Sequence, residues 1–530
     1  MFNPILTIFQ MRRFILILFC CWYFFSPAPS SAGENTGLVV PGSEVIAEIE
    51  PIECPLRLPP GDSGGCLMAW VPMSYTDAAP DGSLPDDAPR IGVHLIALGN
   101  FVTKADPDPL VVIAGGPGQA AVDLVGPMSS SLEQRRNRSI ILVDQRGTGF
   151  SRPVLHCPNS DVAELDDYPF NDPSFDPEKA LADRITACRD RLVGEGVDLA
   201  AFDTRSAALD LKAIRRGLEL QHWNLLGTSY GSRVVMDALR IDPQGIRAAV
   251  LNSPMTVVDG FSSSQALGRA RTFEQMFEEC AMHEGCSQAF PNLRQDLEDI
   301  ATHLKDNPLR LSLRDQQSGR LIRQDIYWND IITVLGMHLA FTSTAQSVPR
   351  YINELAQVIE GRLNLNDDEV AHIFQPELAN IEDELAIGMH LSVRCREDYP
   401  GLEVDAVEAA IREHPFYYPD SYVYDIYRKV CPIWNVGQFE PGFANPVAST
   451  IPVLILSGNN DTLTPPLWAE EIAYTLPNAR LVRFAGIGHD VFATTPCARV
   501  ITANFLDAPT KPLDTTCAEQ IEPFFTLEQE

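Results

Sequence analysis

The stretch Leu225-Leu226-Gly227-Thr228-Ser229-Tyr230-Gly231-Ser232 constrains this chain more than any other, because it reads G-x-S-x-G between an apolar run and a helical pattern. Residues 222–226 have the composition of a short buried strand, and Val234, Val235, Ala238 and Leu239 recur at helical spacing. A serine in such a strand-to-helix turn is lifted clear of the sheet, with backbone N–H groups facing the same space, which is how a nucleophile is presented. Glycines at 227 and 231 suit a turn too tight for side chains. Five letters alone recur by chance in a chain of 530 residues, so the reading depends on what lies around them.

What lies around them is a strand rhythm. Residues 66–71 and 91–98 read as paired strands, and the continuous apolar runs 110–114 and 140–143 as strands buried on both faces of a parallel sheet. Ala207, Leu211, Ile214 and Leu218 mark a helix leading into the strand before Ser229, and 248–251 is a further strand after the nucleophile helix. From about 254 to 445 helical patterns take over, read as an inserted helical cap, and the sheet resumes at 453–456 and 481–484. The domain reading is a signal peptide over 1–32, a catalytic domain in two pieces over 33–255 and 446–530, and the cap over 256–445.

The ends and the charge bound the address. Arg12-Arg13 precede an apolar run over 14–25, and small residues end at Ala32, the pattern of a cleaved export signal, with Met1 or Met11 as the start and an uncleaved anchor as the competing reading. The expectation is a periplasmic or secreted protein without stable membrane insertion after cleavage. The ten cysteines beyond residue 32 imply five disulfides, with sequential pairing the least costly arrangement and Cys54–Cys66 and Cys280–Cys286 the shortest loops. With no C-x-x-C beyond the leader and no H-E-x-x-H, neither a metal nor an organic cofactor is expected. A net charge of −31 speaks against nucleic acid as a partner.

Strand–Ser, then strand–Asp, then strand–His is the chain order of an α/β-hydrolase triad. Ser229 is the nucleophile, Asp461 in Ser457-Gly458-Asn459-Asn460-Asp461-Thr462 the acid, and His489 in Gly486-Ile487-Gly488-His489-Asp490 the base. Asp461 also fits a plain Asx turn, and Asp490 is the rival acid, disfavoured because adjacent loop side chains diverge. The loop Gly115-Gly116-Pro117-Gly118 follows a strand and supplies an oxyanion donor; Pro117 has no N–H, so Gly116 is preferred, with the Tyr230 N–H as the second donor.

Gly115-Gly116-Pro117-Gly118, Val143-Asp144-Gln145-Arg146-Gly147-Thr148-Gly149-Phe150-Ser151 and Gly227-Thr228-Ser229-Tyr230-Gly231-Ser232 together resemble the prolyl aminopeptidase and tripeptidyl aminopeptidase branch of α/β-hydrolases. The resemblance runs from residues 66–75 to a tail bounded by Cys497 and Cys517, similar to that of the tripeptidyl aminopeptidase-like members. It implies an α/β fold with a mostly parallel sheet and helical cap, and a serine exopeptidase acting on peptides with a free N-terminus. An acidic residue closely following a cap cysteine belongs to the resemblance, so Glu397 leads and Asp398 follows as partners for a substrate ammonium, against the plainer reading of cap surface charge. Asp144 and its neighbours are read as structural. A carboxylic ester hydrolase on the same fold is the alternative function, and a catalytically silent binding module the third.

Overall fold

In a computed structural model the described residues are 40–60, 64–99, 108–130, 138–157, 177–256, 261–314, 321–363, 370, 373, 385–401, 404–414, 422–439 and 442–527. The expected signal peptide lies outside them. No helix among them is long and apolar enough to cross a membrane.

Nine strands form one sheet: β1 (Glu48–Ile52), β2 (Gly65–Pro72), β3 (Arg90–Leu98), β4 (Leu110–Ile113), β5 (Ile140–Asp144), β6 (Trp223–Thr228), β7 (Ile246–Asn252), β10 (Val453–Gly458) and β11 (Ala479–Phe484). Their order across it is β1-β2-β3-β5-β4-β6-β7-β10-β11. From β5 onward all pairings are parallel, whereas β1, β2 and β3 form an antiparallel edge joined to β5. Strand alternation explains why the central runs are apolar throughout: Val111, Ile113, Leu225 and Leu251 enter one core, while Leu110, Val112, Leu226 and Val250 enter another across the sheet. Helices α1 (Pro177–Gly194), α2 (Thr204–Gly217) and α3 (Tyr230–Ile241) contribute to the first, and α9 (Pro496–Asp507) to the second.

Two elements depart from the sequence reading. Glu48–Ile52, ahead of the first strand read from the sequence, is an edge strand, where Pro51 is tolerated because its missing N–H need not meet a second neighbour. The insertion between β7 and β10 is not wholly helical, since β8 (Leu309–Arg314) and β9 (Leu321–Ile326) pair as an antiparallel hairpin. Its apolar–polar alternation at Leu309, Leu311 and Leu313 was the signal.

The insertion also serves two cores. Helices α4 (Phe261–Met282), α5 (Trp328–Ala340) and α6 (Val348–Ile359) share a cluster of their own, whereas α7 (Ile387–Val393) and α8 (Tyr422–Trp434) send Met389, Leu391, Val393, Val430 and Trp434 into the sheet's first core. All five cysteine pairs are sequential: Cys54–Cys66, Cys157–Cys188, Cys280–Cys286, Cys395–Cys431 and Cys497–Cys517. The 395–431 bridge ties the turn after α7 to α8.

The Asp144–Ser151 segment is a buried lock. Arg146 is 0% exposed and donates to both Asp210 carboxylate oxygens at 2.6 and 2.8 Å and to the carbonyls of Met73 and Ala201. Tyr75 adds a hydroxyl donor to Asp210 at 2.8 Å. Removing one partner of such a pair strands the other charge out of water. Asp210→Ala is therefore expected to cost about 3–5 kcal/mol of stability by urea unfolding, several times the loss from deleting an exposed pair such as Arg412–Glu408, where both side chains are more than half exposed.

Candidate active site

The parallel strands deliver their chemistry-bearing loops at their C-terminal ends, where ligands meet open α/β sheets. Ser229 directly follows β6 and caps α3 with φ 55° and ψ −122°, a backbone conformation L-residues rarely adopt. The glycines make that turn feasible. A Cβ on Gly227 would strike the Gly231 carbonyl, and one on Gly231 would strike the carbonyls of Ile113 and Ala114. The Ser229 N–H donates to Asn252 O at 2.9 Å, tying the turn to the end of β7.

Asp461 and His489 come together. His489 Nδ1 lies 2.9 Å from Asp461 Oδ2, with Asp461 fully buried and the histidine side chain 14% exposed. Asp461 Oδ1 also accepts the Leu463 and Thr464 N–H groups at 3.0 and 2.8 Å, and Oδ2 accepts the Thr464 hydroxyl at 2.7 Å. The carboxylate is thus fixed, and a neutral imidazole facing it carries its hydrogen on Nδ1. Burial pulls the His489 pKa down, but the charge and hydrogen bond of Asp461 outweigh it and leave it raised. Asp490, the rival acid, turns away: at φ 57° it caps the next helix through the Ala493 N–H and accepts from Asn252 Nδ2 at 2.7 Å.

Two residues that the sequence reading did not single out organise these loops. Asn252 and Ser253, at the end of β7, bind all three: Asn252 O takes the Ser229 N–H, Ser253 O takes the Thr464 hydroxyl at 2.9 Å, and Ser253 Oγ takes the Asp490 N–H at 3.1 Å. The histidine loop is also gripped by the insertion, since Ala340 O accepts the His489 N–H at 2.5 Å and the Thr342 hydroxyl accepts the Gly488 N–H at 3.1 Å.

The glycine loop faces the nucleophile: a Cβ on Gly115 would stand 3.0 Å from Ser229 Cβ. Gly116 is exposed whereas Gly115, Pro117 and Gly118 are buried. Asp144 and Gln145 hold both ends of the loop, Gln145 Nε2 donating to Ala114 O at 3.0 Å and the Val122 N–H to Asp144 Oδ1 at 2.9 Å. Asp144 Oδ2 meets His94 Nδ1 at 2.9 Å, so its carboxylate is engaged away from His489.

Glu397 and Asp398 lie on a π-helical turn, Arg394–Asp398, directly after α7. Glu397 reaches the neighbourhood of Tyr230: it accepts the Thr204 N–H and hydroxyl, both at 2.7 Å, and that hydroxyl is 3.0 Å from the Tyr230 hydroxyl. Arg233 Nη1 contacts Glu397 at 3.2 Å and Asp398 at 2.9 Å, Arg394 binds Asp398 at 2.5 Å, and Arg396 binds Asp203 at 3.0 Å. The cluster is therefore built of three carboxylates and three guanidiniums. Burial pushes the Glu397 carboxyl up to about 8 against the pull of Arg233.

A family model described as "alpha/beta hydrolase fold" matches residues 108–289, and one described as "TAP-like protein" matches 418–517. The chain is similar to serine protease Hip1 of Mycobacterium tuberculosis, 26% identical over 493 residues covering 87% of this chain and 88% of that protein. It is similar to carboxylesterase B of the same organism, 26% identical over 438 residues covering 77% and 79%. Among solved structures, a proline iminopeptidase-related protein of Thermus thermophilus is 16% identical, covering 83% of this chain and 97% of that one, at a TM-score of 0.34.

A general-base role for His489 requires its neutral form, so under that role kcat/KM is expected to fall on acidification through a pKa above the ordinary imidazole value. Asp461→Asn should lower kcat by about 10⁴-fold and move that acid limb to lower pH, as read from pH–rate profiles. The folded-state pKa lies above the unfolded one, so the linked stability is full below the unfolded pKa and is lost as pH rises through the folded value.

Proposed function

Since the chain is a TAP-like α/β-hydrolase, we propose that it is an exported serine aminopeptidase that removes residues or short peptides from free N-termini. Ser229 attacks the scissile carbonyl, His489 takes its proton and returns it to the leaving amine, and Asp461 holds His489 in the required tautomer. The Gly116 and Tyr230 N–H groups receive the oxyanion, and water releases the acyl group. Support for this chemistry comes above all from the 2.9 Å Asp461–His489 contact between loops at the ends of β10 and β11. Five disulfides fit an oxidising compartment. Residues 256–445 restrict access to the serine and favour short peptides over folded proteins.

The exopeptidase part of the reading rests on Glu397, joined to Tyr230 through Thr204, and on Asp398, which shares Arg233 with it. An ammonium arriving there would pair with the ionised carboxylate and favour proton release from Glu397. Ester hydrolysis is the second reading, and one observation favours it: both acids already have guanidinium partners without an added cation.

A panel of fluorogenic aminoacyl and tripeptidyl amides, their N-acetylated counterparts and short-chain esters separates the two. The aminopeptidase reading expects free-amine amides to outrun acetylated ones by at least about 100-fold, the scale at which a lost charged contact is felt. Equal rates would leave the esterase reading standing. Glu397→Gln should raise KM for free-amine substrates by roughly tenfold with little change in kcat, and the wild-type KM should rise as pH falls below about 8.

A further inference from the structure

The loop that faces Ser229 is held on its outer side by a residue of the insertion. His390, on α7, places Nδ1 3.1 Å from Pro117 O and Nε2 2.9 Å from the Tyr427 hydroxyl on α8. The two rings stack, with centroids 6.2 Å apart and planes at 26°. A carbonyl can only accept, so a bond to Pro117 O requires hydrogen on Nδ1; Nε2 of the neutral ring is then an acceptor, and the Tyr427 hydroxyl donates to it. Burial and the nearby Arg394 press the imidazole down to about 4, keeping it neutral in ordinary buffers. One residue further along the loop, Gly118 O accepts the Ala386 N–H at 3.0 Å, so two successive loop carbonyls are taken by the start of α7.

These ties orient more than carbonyls. In a trans peptide the C=O and the following N–H point in opposite directions. Holding Pro117 O outward against His390 turns the Gly118 N–H the other way; the plane that carries the Gly116 N–H is set within the loop, by the Gln119 N–H on Gly115 O at 3.4 Å, so His390 acts on that donor through the backbone from Pro117 to Gln119. A Cβ on Gly118 would collide with Ala386, so α7 packs on the loop backbone itself.

We infer that His390 is a positioning residue for the oxyanion loop, its tautomer set by Tyr427, so that the insertion completes the site as well as covering it. The inference rests on the serine-hydrolase reading of the site. It concerns a residue outside the proposed triad.

The test uses p-nitrophenyl acetate as substrate and benzeneboronic acid as a mimic of the tetrahedral adduct on Ser229. In His390→Asn the amide nitrogen stands near the former Nδ1 and keeps a donor for Pro117 O; in His390→Leu that donor is gone. A loop that loses its register should cost about 10–100-fold in kcat. His390→Leu is expected to show that loss with KM within about twofold and a parallel weakening of boronate inhibition. His390→Asn should recover most of both, and Tyr427→Phe, which leaves the tautomer unset, should fall between. A purely structural role predicts lower thermal stability with kcat and boronate affinity unchanged, and that outcome overturns the inference. Should His390→Leu fail to fold, a Tyr427→Phe enzyme with wild-type kcat and boronate affinity would overturn it equally. Retained hydrolysis in Ser229→Ala would instead remove the nucleophile on which the inference rests, so the two failures are distinguishable.

Discussion

The left-handed backbone at Ser229 is the constraint on which the rest of the site depends. A non-glycine residue held at φ 55° costs roughly 1–3 kcal/mol, and it persists only where surrounding structure leaves it no alternative. Here that structure is the absence of side chains at 227 and 231, the Ile113 and Ala114 carbonyls pressed against Gly231, and the Ser229 N–H bound to Asn252 O. They come from β6 and the helix that follows it, from the end of β4, and from the end of β7. The strain at one serine is thus sustained by the packing of β4, β6 and β7 together.

From that point the fold distributes its supports. Asn252 and Ser253 tie the loops of Ser229, Asp461 and His489 to one strand end, and Asp144 with Gln145 holds both ends of the glycine loop. The insertion supplies the remainder: Ala340 and Thr342 grip the histidine loop, and His390 with Ala386 grips the glycine loop. The insertion is consequently more than a cover over a finished site. Its second half shares a core with the catalytic sheet and is cross-linked by Cys395–Cys431 directly beside Glu397.

Much of this was legible in the amino-acid sequence because it rests on local patterns. Central strands buried on both faces must be apolar throughout, and the glycine pairs mark turns that tolerate no Cβ, so β4 to β7 and β10 could be read directly, and the loops after β10 and β11 were the places to look for the Asp461–His489 contact. Asp461 was preferred over Asp490 on the ground that neighbouring side chains diverge, and Asp490 indeed turns toward Asn252. The hairpin 309–326 carried its alternation openly and was hidden only by the helices around it. Other contacts had no local signature. Nothing near His390 in the chain announces Pro117, 273 positions away, and nothing near Thr204 announces Glu397, 193 positions away. Such contacts depend on where a long insertion lands, a tertiary fact that spacing does not encode.

Ser229 is the proposed nucleophile, beside an Asp461–His489 pair in contact at 2.9 Å. Labelling with a fluorophosphonate followed by peptide mass spectrometry tests that role most directly, because the reagent reports the reactive hydroxyl regardless of which acyl group the enzyme prefers. The account predicts one adduct per chain, carried by Ser229 and lost on unfolding or in His489→Ala. Modification of another hydroxyl in an active preparation, or labelling of Ser229 that survives unfolding, would contradict it.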